Sequence, residues 1–551
     1  MQLPGLQPPP FETHRVGETP PPFEPRDLWA DDVALREGVA RGGASAHVVA
    51  LQDYARLAGD ELYRLGFEAN RDRPRLRTHD RHGGRIDTVE FHPAYHRLME
   101  LAKAHEVAGL SWQRPGAGAH VARAGLSYLH HQAEAGTSCP LTMTHAAVPV
   151  LRREPSLAEW ADKAAAPRYD PRDVAIGDKA GITLGMGMTE KQGGSDVRAN
   201  ATVATPLAAG EGYALVGHKW FFSAPMSDGF LVLAQAPGGL TCLLMPRRLP
   251  DGAKNAFRIM RLKDKLGDWS NASSEVEFCG ARAWRVGGEG RGVATIIEMV
   301  MLTRLDCMLG AAAETRMALA QALHHARHRV AFGRRLVDHP LMANVLADLA
   351  IESEAATAFA LHVASLVDAA PGDPQAAALA RVATAIGKYW LCRRAPALVN
   401  EAQECLGGAG YVEESILPRL YRQAPLNSIW EGSGNIQCLD VLRALAREPT
   451  VAQALRSALA DAAGRHPLLE REAGRLRAWL EPATGDGREA QARLLVERLA
   501  LLLQGAVLSA AGSPLAEAFL RSRLGGAHGL AMGTLPDDVD LGAVLGRALP
   551  A

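Results

Sequence analysis

The sequence predicts an α+β chain in which a helical region, a small antiparallel sheet domain and a second helical region follow one another, with a helical extension at the end. Three observations predict this. Apolar residues recur at helical spacing up to about residue 181, then the period shortens. Between 182 and 282 short apolar or alternating runs are separated by Gly, Pro, Asp and Asn, the pattern of a sheet domain. From Gly292 the period of 3.6 returns. At 551 residues the chain exceeds what one core holds, so several domains are expected.

Taken in order, residues 1–30 carry two Pro-Pro-Pro runs and read as an extended arm or a strap on another subunit. Residues 31–181 are rich in Ala, Leu and His and read as an N-terminal helical domain, broken at His92-Pro93 and Arg114-Pro115. Residues 182–282 contain the strand-like runs G-I-T-L-G-M-G-M, Y-A-L-V-G-H-K-W-F-F, G-F-L-V-L-A-Q-A, L-T-C-L-L-M-P and S-E-V-E-F. Residues 283–447 read as a helical bundle: Val293, Ile297, Val300 and Arg304 share one helix face, and Leu341, Val345 and Leu349 another. Residues 448–551 form an Ala/Leu/Arg-rich helical extension. No internal repeat is present.

Composition narrows the function classes. The formal net charge of −1 argues against a strongly basic nucleic-acid protein, although a local patch is compatible with it. The seven cysteines are odd in number and none is paired at CxxC spacing, so reduced, mostly buried thiols in the cytoplasm are expected rather than a disulfide framework or zinc site. The N-terminus shows no signal-peptide pattern. The apolar run near Leu499–Ala511 is too short to span a bilayer, so no membrane association is expected.

Candidate chemistry concentrates in N-S-I-W-E-G-S-G-N-I-Q-C-L-D-V-L-R, residues 427–443. Glu431 is flanked by Trp430, glycines and aliphatics, with no nearby cation in sequence. Such surroundings raise a carboxylate's pKa and suit it to proton transfer near neutral pH. The rival reading is an acid at a helix N-terminus, stabilised by the macrodipole by about 0.3–1 kcal/mol. M-G-M-T-E-K-Q-G-G-S-D-V (186–197) brings hydroxyls and glycines to a strand end, where Thr189 and Ser195 could bond a heteroaromatic ring or pyrophosphate; a plain turn reads equally well. G-H-K-W-F-F-S (217–223) alone reads as a core strand. His92, His96 and His145 have no mutual ligand spacing and read as caps or packing. His324 and His328 are four apart, but Arg327 and Arg329 beside them favour a basic face over a metal site, and no metal is expected.

These segments occur in one order with K-D-K-L-G-D-W-S-N-A-S-S-E-V-E-F (263–278), R-V-A-F-G (329–333) and E-C-L-G-G-A-G-Y (404–411). On that basis the chain resembles the acyl-CoA dehydrogenase family over about residues 90–445. F-H-P-A-Y-H (91–96), S-C-P-L-T-M-T (138–144) and the C-terminal extension are similar to the adaptive-response branch of that family, which extends the resemblance over nearly the whole chain. The resemblance implies an acyl-CoA dehydrogenase-like fold, a homotetramer and FAD. It implies that Met186, Gly187, Met188, Thr189, Gly194 and Ser195 line the flavin from one strand end. Phe221 stands where the family usually has a tryptophan, with Phe222 beside it and Ser223 near the reactive edge. Arg329 matches an arginine that reaches the cofactor of a neighbouring subunit, and Gly407, Gly408 and Gly410 a glycine turn approaching it. Ile429, Trp430, Gly432, Ser433 and Asn435 surround the flavin beside Glu431, which matches the usual catalytic base. The alternative base position of some members is Thr303 here, before Arg304.

Two functions follow from the resemblance. One is an FAD-dependent oxidoreductase removing the α-proton of an acyl-CoA. The other is a DNA-binding flavoprotein of the DNA alkylation response with little turnover, whose extension contacts double-stranded DNA. Residues 451–551 hold eleven Arg, no Lys and eleven Asp plus Glu, a neutral balance in which Arg471, Arg475, Arg477, Arg488, Arg493 and Arg498 could form a stripe. A duplex-binding face needs clustered cations.

Overall fold

The computed structural model describes residues 19–208, 212–480 and 486–550. The first part of the proline-rich arm therefore lies outside the described residues. Residues 19–30 are not free. Phe23, Leu28 and Trp29 are buried, and Pro21 O lies 2.9 Å from His324 Nε2.

The N-terminal region contains α1 (Val33–Arg41), α2 (Val48–Ala58), α3 (Glu61–Arg71), the hairpin β1 (Arg75–His79) and β2 (Arg85–Glu90), then α4 (Pro93–Ala104), α5 (Leu110–Gln113), α6 (Ala119–Ala133), α7 (Ser138–Arg152) and α8 (Ala158–Ala165). Asp32 caps α1 by accepting from Leu35 N at 2.9 Å, and Pro93 starts α4, where its missing N–H costs nothing. The hairpin was not legible as strands: Arg75, Arg77, Arg85 and Glu90 hide its alternation, and of its strand residues only Asp87 and Val89 are buried.

The middle domain is built from β3 (Leu184–Gly187), β4 (Val203–Pro206), β5 (Tyr213–Ser223), β6 (Gly229–Ala236), β7 (Gly239–Pro246), β8 (Phe257–Leu262) and β9 (Ser273–Val286). The order is β3-β6-β4-β5-β9-β7, with β8 on β9 and a further β6–β7 pairing that closes the path on itself. The ladders are antiparallel except where β3 and β4 run parallel to β6. Phe222, Phe230, Phe257 and Phe278 fill its core, with Phe222 and Phe230 rings 4.3 Å apart.

The second helical region comprises α9 (Gly292–His328), the short hairpin β10 (Val330–Ala331) and β11 (Arg334–Arg335), α10 (Pro340–Ala369), α11 (Pro374–Glu404), α12 (Leu417–Gln423) and α13 (Gly434–Arg447). Helix α9 is buried over most of its length because small residues let its neighbours approach. A side chain at Gly310 would meet the His131 ring of α6 at 2.7 Å. At its start the buried face is Ile296, Met299 and Thr303, so Val293, Ile297, Val300 and Arg304 form the more open face beside it. Helix α10 is long and apolar enough to cross a membrane, which the sequence reading overlooked; it is instead largely buried at the centre of the bundle.

The extension carries α14 (Pro449–Ala463), α15 (Pro467–Leu480), α16 (Asp486–Ala490), α17 (Ala492–Ala510), α18 (Ala516–Arg523) and α19 (Leu541–Ala548). It is fixed to the bundle by ion pairs and hydrogen bonds to α10 and α1. Arg523 meets Asp348 at 2.5 Å and Glu352 at 2.7 Å, and His528 meets Asp348 at 2.7 Å. Arg547 pairs with Glu354 of α10 and Glu37 of α1, both at 2.7 Å. The seven cysteines are free thiols, six of them buried and Cys279 exposed.

Candidate active site

Glu431 lies in the turn that ends before α13, whose N-cap is Ser433. Among the described residues no α13 N–H donates to the Glu431 carboxylate. Oε2 accepts a hydrogen bond from Thr303 Oγ1 of α9 at 2.7 Å. The hydrogen bond to Thr303 ties the carboxyl to α9 rather than to a cap of α13. Burial raises the Glu431 carboxyl above its ordinary value, against the opposing pull of the Thr303 hydroxyl and the Arg304 and Lys388 charges.

The backbone here is unusual. Glu431 has φ +57° and Gly432 φ +93°. A left-handed non-glycine residue costs about 1–3 kcal/mol and persists only where its surroundings enforce it. Those surroundings are three side chains. Arg304 Nε and Gln437 Nε2 both donate to Glu431 O at 3.0 Å. Lys388 Nζ of α11 donates to Trp430 O at 2.7 Å and to Gly432 O at 2.5 Å. Arg304 is held in turn by Asp440 at 2.7 Å, which Arg381 also grips at 2.7 Å. Burial favours the neutral Asp440 acid, but these two guanidinium groups hold it below the usual range.

Cys139 lies near the start of α7, and its thiol is pushed up to about 12 by burial, with the Glu431 charge and the Ser223 hydroxyl at the end of β5 as smaller influences. Three segments support the strand end. Trp220 N donates to Thr189 O at 2.8 Å, Asn200 Nδ2 donates to Met188 O at 2.9 Å, and Thr144 Oγ1 of α7 accepts from Leu184 N at 2.9 Å. Glu190 and Lys219, both fully buried, pair at 2.7 Å; Glu190 also accepts from Ala201 N at 2.7 Å and Thr202 N at 3.2 Å. This pair ties the 188–202 loop to β5 and went unnoticed in the sequence, where the two residues stand 29 apart as ordinary charges.

The expected site residues divide into groups. Met186 and Gly187 are buried on β3, with Gly187 packed against Phe222, and Met188 and Thr189 follow at its open end. Gly194 lies directly against the Thr189 side chain, and Ser195 is exposed beside it. Phe221 is 52% exposed, whereas the Phe222 ring is wholly inside the sheet core and unavailable to a ligand. That correction follows from strand alternation: neighbours point to opposite faces. Ile429 is 63% exposed, Trp430 Nε1 bonds Asn427 Oδ1 at 3.0 Å, and Ser433 and Asn435 are exposed. Gly407, at φ +58°, and Gly408 are exposed with nothing near a side chain they might carry, so their backbone is open to close approach. Arg329 is not brought to Glu431. It follows the last residue of α9, 26 residues beyond Thr303, or about 39 Å at 1.5 Å per residue.

A flavin needs apolar faces for its ring, donors at its polar edge and backbone that can approach its phosphates. Exposed Phe221 and Ile429, the hydroxyls of Thr189, Ser195 and Ser223, and the open Gly407–Gly408 turn supply these. The residues fit such a group.

The extension reaches this region too. Arg493 of α17 donates from Nε to Asn435 Oδ1 at 2.8 Å, a contact that motif reading did not foresee. The proposed arginine stripe is largely committed to internal partners. Arg471 bonds Leu524 O at 2.9 Å, Arg488 bonds Trp479 O at 3.0 Å, and Arg498 meets Glu472 at 2.5 Å. Only Arg475 and Arg477 of α15 stand exposed with little to hold them: Arg475 is 3.6 Å from Glu472.

Residues 18–171 match the adaptive response protein AidB N-terminal domain, 185–280 the acyl-CoA dehydrogenase middle domain and 290–446 the acyl-CoA dehydrogenase C-terminal domain. The chain is 45% identical to AidB of Escherichia coli (strain K12), provisionally named an acyl-CoA dehydrogenase, over 93% of this chain and 95% of that protein. It is 30% identical to acyl-CoA dehydrogenase family member 11 of Caenorhabditis elegans over 71% of this chain and 67% of that one. The crystal structure of C. elegans ACDH-11 in complex with C11-CoA superposes with a TM-score of 0.85 at 25% identity, covering 93% of each chain. The chain belongs to the acyl-CoA dehydrogenase family of FAD-dependent flavoproteins and carries an AidB-type N-terminal domain.

Proposed function

We propose that the protein is an FAD-dependent acyl-CoA dehydrogenase in which Glu431 removes the α-proton of an acyl-CoA thioester. The observation that carries this is the Glu431 carboxyl, held by Thr303 Oγ1 at 2.7 Å in an enforced left-handed turn, with burial raising its pKa. Bound FAD supplies the electron sink for the β-hydride, which no side chain can. Thr189, Ser195, Phe221, Ser223, Ile429 and Trp430 hold and orient it. With the carbonyls of Trp430, Glu431 and Gly432 all turned to Lys388, Arg304 and Gln437, the Glu431 N–H has no partner among the described residues. It is free to donate to the thioester oxygen as charge develops there. Thr303 holds the carboxyl in place.

The assembly proposed with this reading is a homotetramer. Arg329 is too far from Glu431 to serve the same cofactor, so it serves a second copy. The hairpin it leads into exposes Phe332 at 95%, and Leu341 beyond it is 77% exposed, as an interface would leave them in one chain. Light scattering on the purified protein checks the mass. Free thiols support placement in the cytoplasm.

DNA association in an alkylation response is the second reading, and Arg475 and Arg477 on α15 are the observation in its favour. A salt titration of duplex binding decides it: affinity must fall as salt rises. The principal test is bleaching of the flavin absorbance by short, medium and long straight-chain acyl-CoAs, with Glu431→Gln alongside. No bleaching with any of them, or equal bleaching by the variant, would overturn the dehydrogenase reading.

A further inference from the structure

The turn that presents Glu431 is strained, and one buried cation spans it. Lys388 is 1% exposed, sits in the middle of α11 and forms no ion pair among the described residues. A buried ammonium without a carboxylate partner is costly and needs a reason. Two of its protons go to Trp430 O and Gly432 O, the carbonyls on either side of Glu431.

We propose that Lys388 is a positioning residue for Glu431: its ammonium grips the carbonyls before and after the base and holds the left-handed turn that aims carboxyl and N–H at the substrate. The inference rests on the reading of Glu431 as the base. Arg304 and Gln437 fix the middle carbonyl, but neither reaches Trp430 O, so Lys388 alone links the two ends of the turn to a rigid helix. The ammonium also acts on the carboxyl through its charge. The charged and titratable groups facing Glu431 are Arg304 and Cys307 of α9, Lys388 of α11 and Cys139 of α7; Asp440 of α13 lies behind Arg304. Both cations pull the carboxyl toward its ionised form, Arg304 ahead of Lys388. Removing the Lys388 charge therefore moves the base toward its protonated form.

Two variants of the FAD-loaded full chain separate geometry from charge. Lys388→Met removes both hydrogen bonds and charge. Lys388→Gln keeps amide donors without charge. With the straight-chain acyl-CoA that best bleaches the flavin, and an artificial electron acceptor, Lys388→Met is expected to lower kcat by about 10²-fold with KM far less affected, the scale of a small misplacement of a reacting group. The acid limb of its pH profile moves to higher pH. Lys388→Gln is expected to recover much of kcat while keeping the displaced limb. A wild-type kcat and limb in folded Lys388→Met overturns the proposal, and so does an unmoved limb in Lys388→Gln, which decides alone where Lys388→Met does not fold. Amide hydrogen exchange over residues 429–434 gives a readout independent of turnover: faster exchange in either variant supports the grip, and unchanged exchange overturns it. Retained activity in Glu431→Gln would instead defeat the base reading, leaving the exchange result to judge the turn.

Discussion

The Thr303 hydroxyl and the Glu431 carboxylate meet at 2.7 Å, while the same hydroxyl lies 3.0 Å from Val300 O. One proton serves two acceptors. When Glu431 is ionised, Thr303 donates to it. When Glu431 is protonated, the acid donates to Thr303, whose own proton turns back to Val300 O. The residue before Arg304 therefore supports the base in both of its states.

Thr303→Val removes a hydrogen bond that favours the ionised carboxyl. The pKa of Glu431 then rises further above its ordinary value, and the acid limb of kcat/KM moves to higher pH, whereas Thr303→Ser leaves it in place. A pH–rate series on the three proteins checks this, and an unmoved limb in Thr303→Val would show the contact to be incidental.

Glu431→Gln has two expected outcomes. Dehydrogenation falls by about 10²–10⁴-fold, the usual worth of a general base. Stability moves the other way. The folded-state pKa of Glu431 is raised above 4.5, so its favourable contribution is complete below that value and is lost as pH rises through the folded pKa. The variant escapes that loss and melts higher than wild type at neutral pH, with the gap closing below pH 4.5. Melting curves across that range test the sign.

Lys219→Met leaves Glu190 buried without its cation. Removing one partner of such a pair costs about 3–5 kcal/mol. Because Glu190 also holds the backbone at Ala201 and Thr202, the 188–202 loop loosens and FAD is lost more readily. Thermal melting and the flavin-to-protein absorbance ratio after gel filtration report the two effects. An unchanged ratio would mean that the loop does not depend on the pair.

Acidification should loosen the C-terminal extension. Burial would favour the Glu352 acid, but Arg394 and Arg523 hold its carboxyl down at about 2. A depressed carboxylate stabilises above its ordinary value of 4.5 and loses that contribution as pH falls toward 2. Arg523→Ala should mimic the loss at neutral pH, again by about 3–5 kcal/mol. Limited proteolysis is expected to cut within residues 448–550 first; a uniform digestion pattern would contradict this.

Much of the candidate site could be named from the sequence because its segments are local. The glycine turn at 407–410, the hydroxyls at 189, 195 and 223 and the carboxylate at 431 each stand in short, recognisable stretches. Phe222 was misplaced because one step along a strand reverses the face, and a pair of phenylalanines gives no sign of which ring points inward. Lys219, Glu190, Lys388 and Arg493 were missed for a different reason. Alone in sequence, each is an ordinary polar residue, and its meaning lies in a partner 29 to 58 positions away. The burial of α10 is hidden in the sequence because Asp348, Glu352 and Glu354 break its apolar run; in the fold these three meet arginines of the extension.

By itself the sequence determined the succession of helical, sheet and helical regions and the kind of group at position 431, since periodicity and residue type are properties of neighbouring residues. Tertiary structure decided what that group can do. Burial raises its pKa, side chains from three helices force its left-handed turn, and the length of α9 carries Arg329 away from it. Those outcomes depend on electrostatics and sterics over a few ångströms between residues far apart in the chain, and only folding sets such distances.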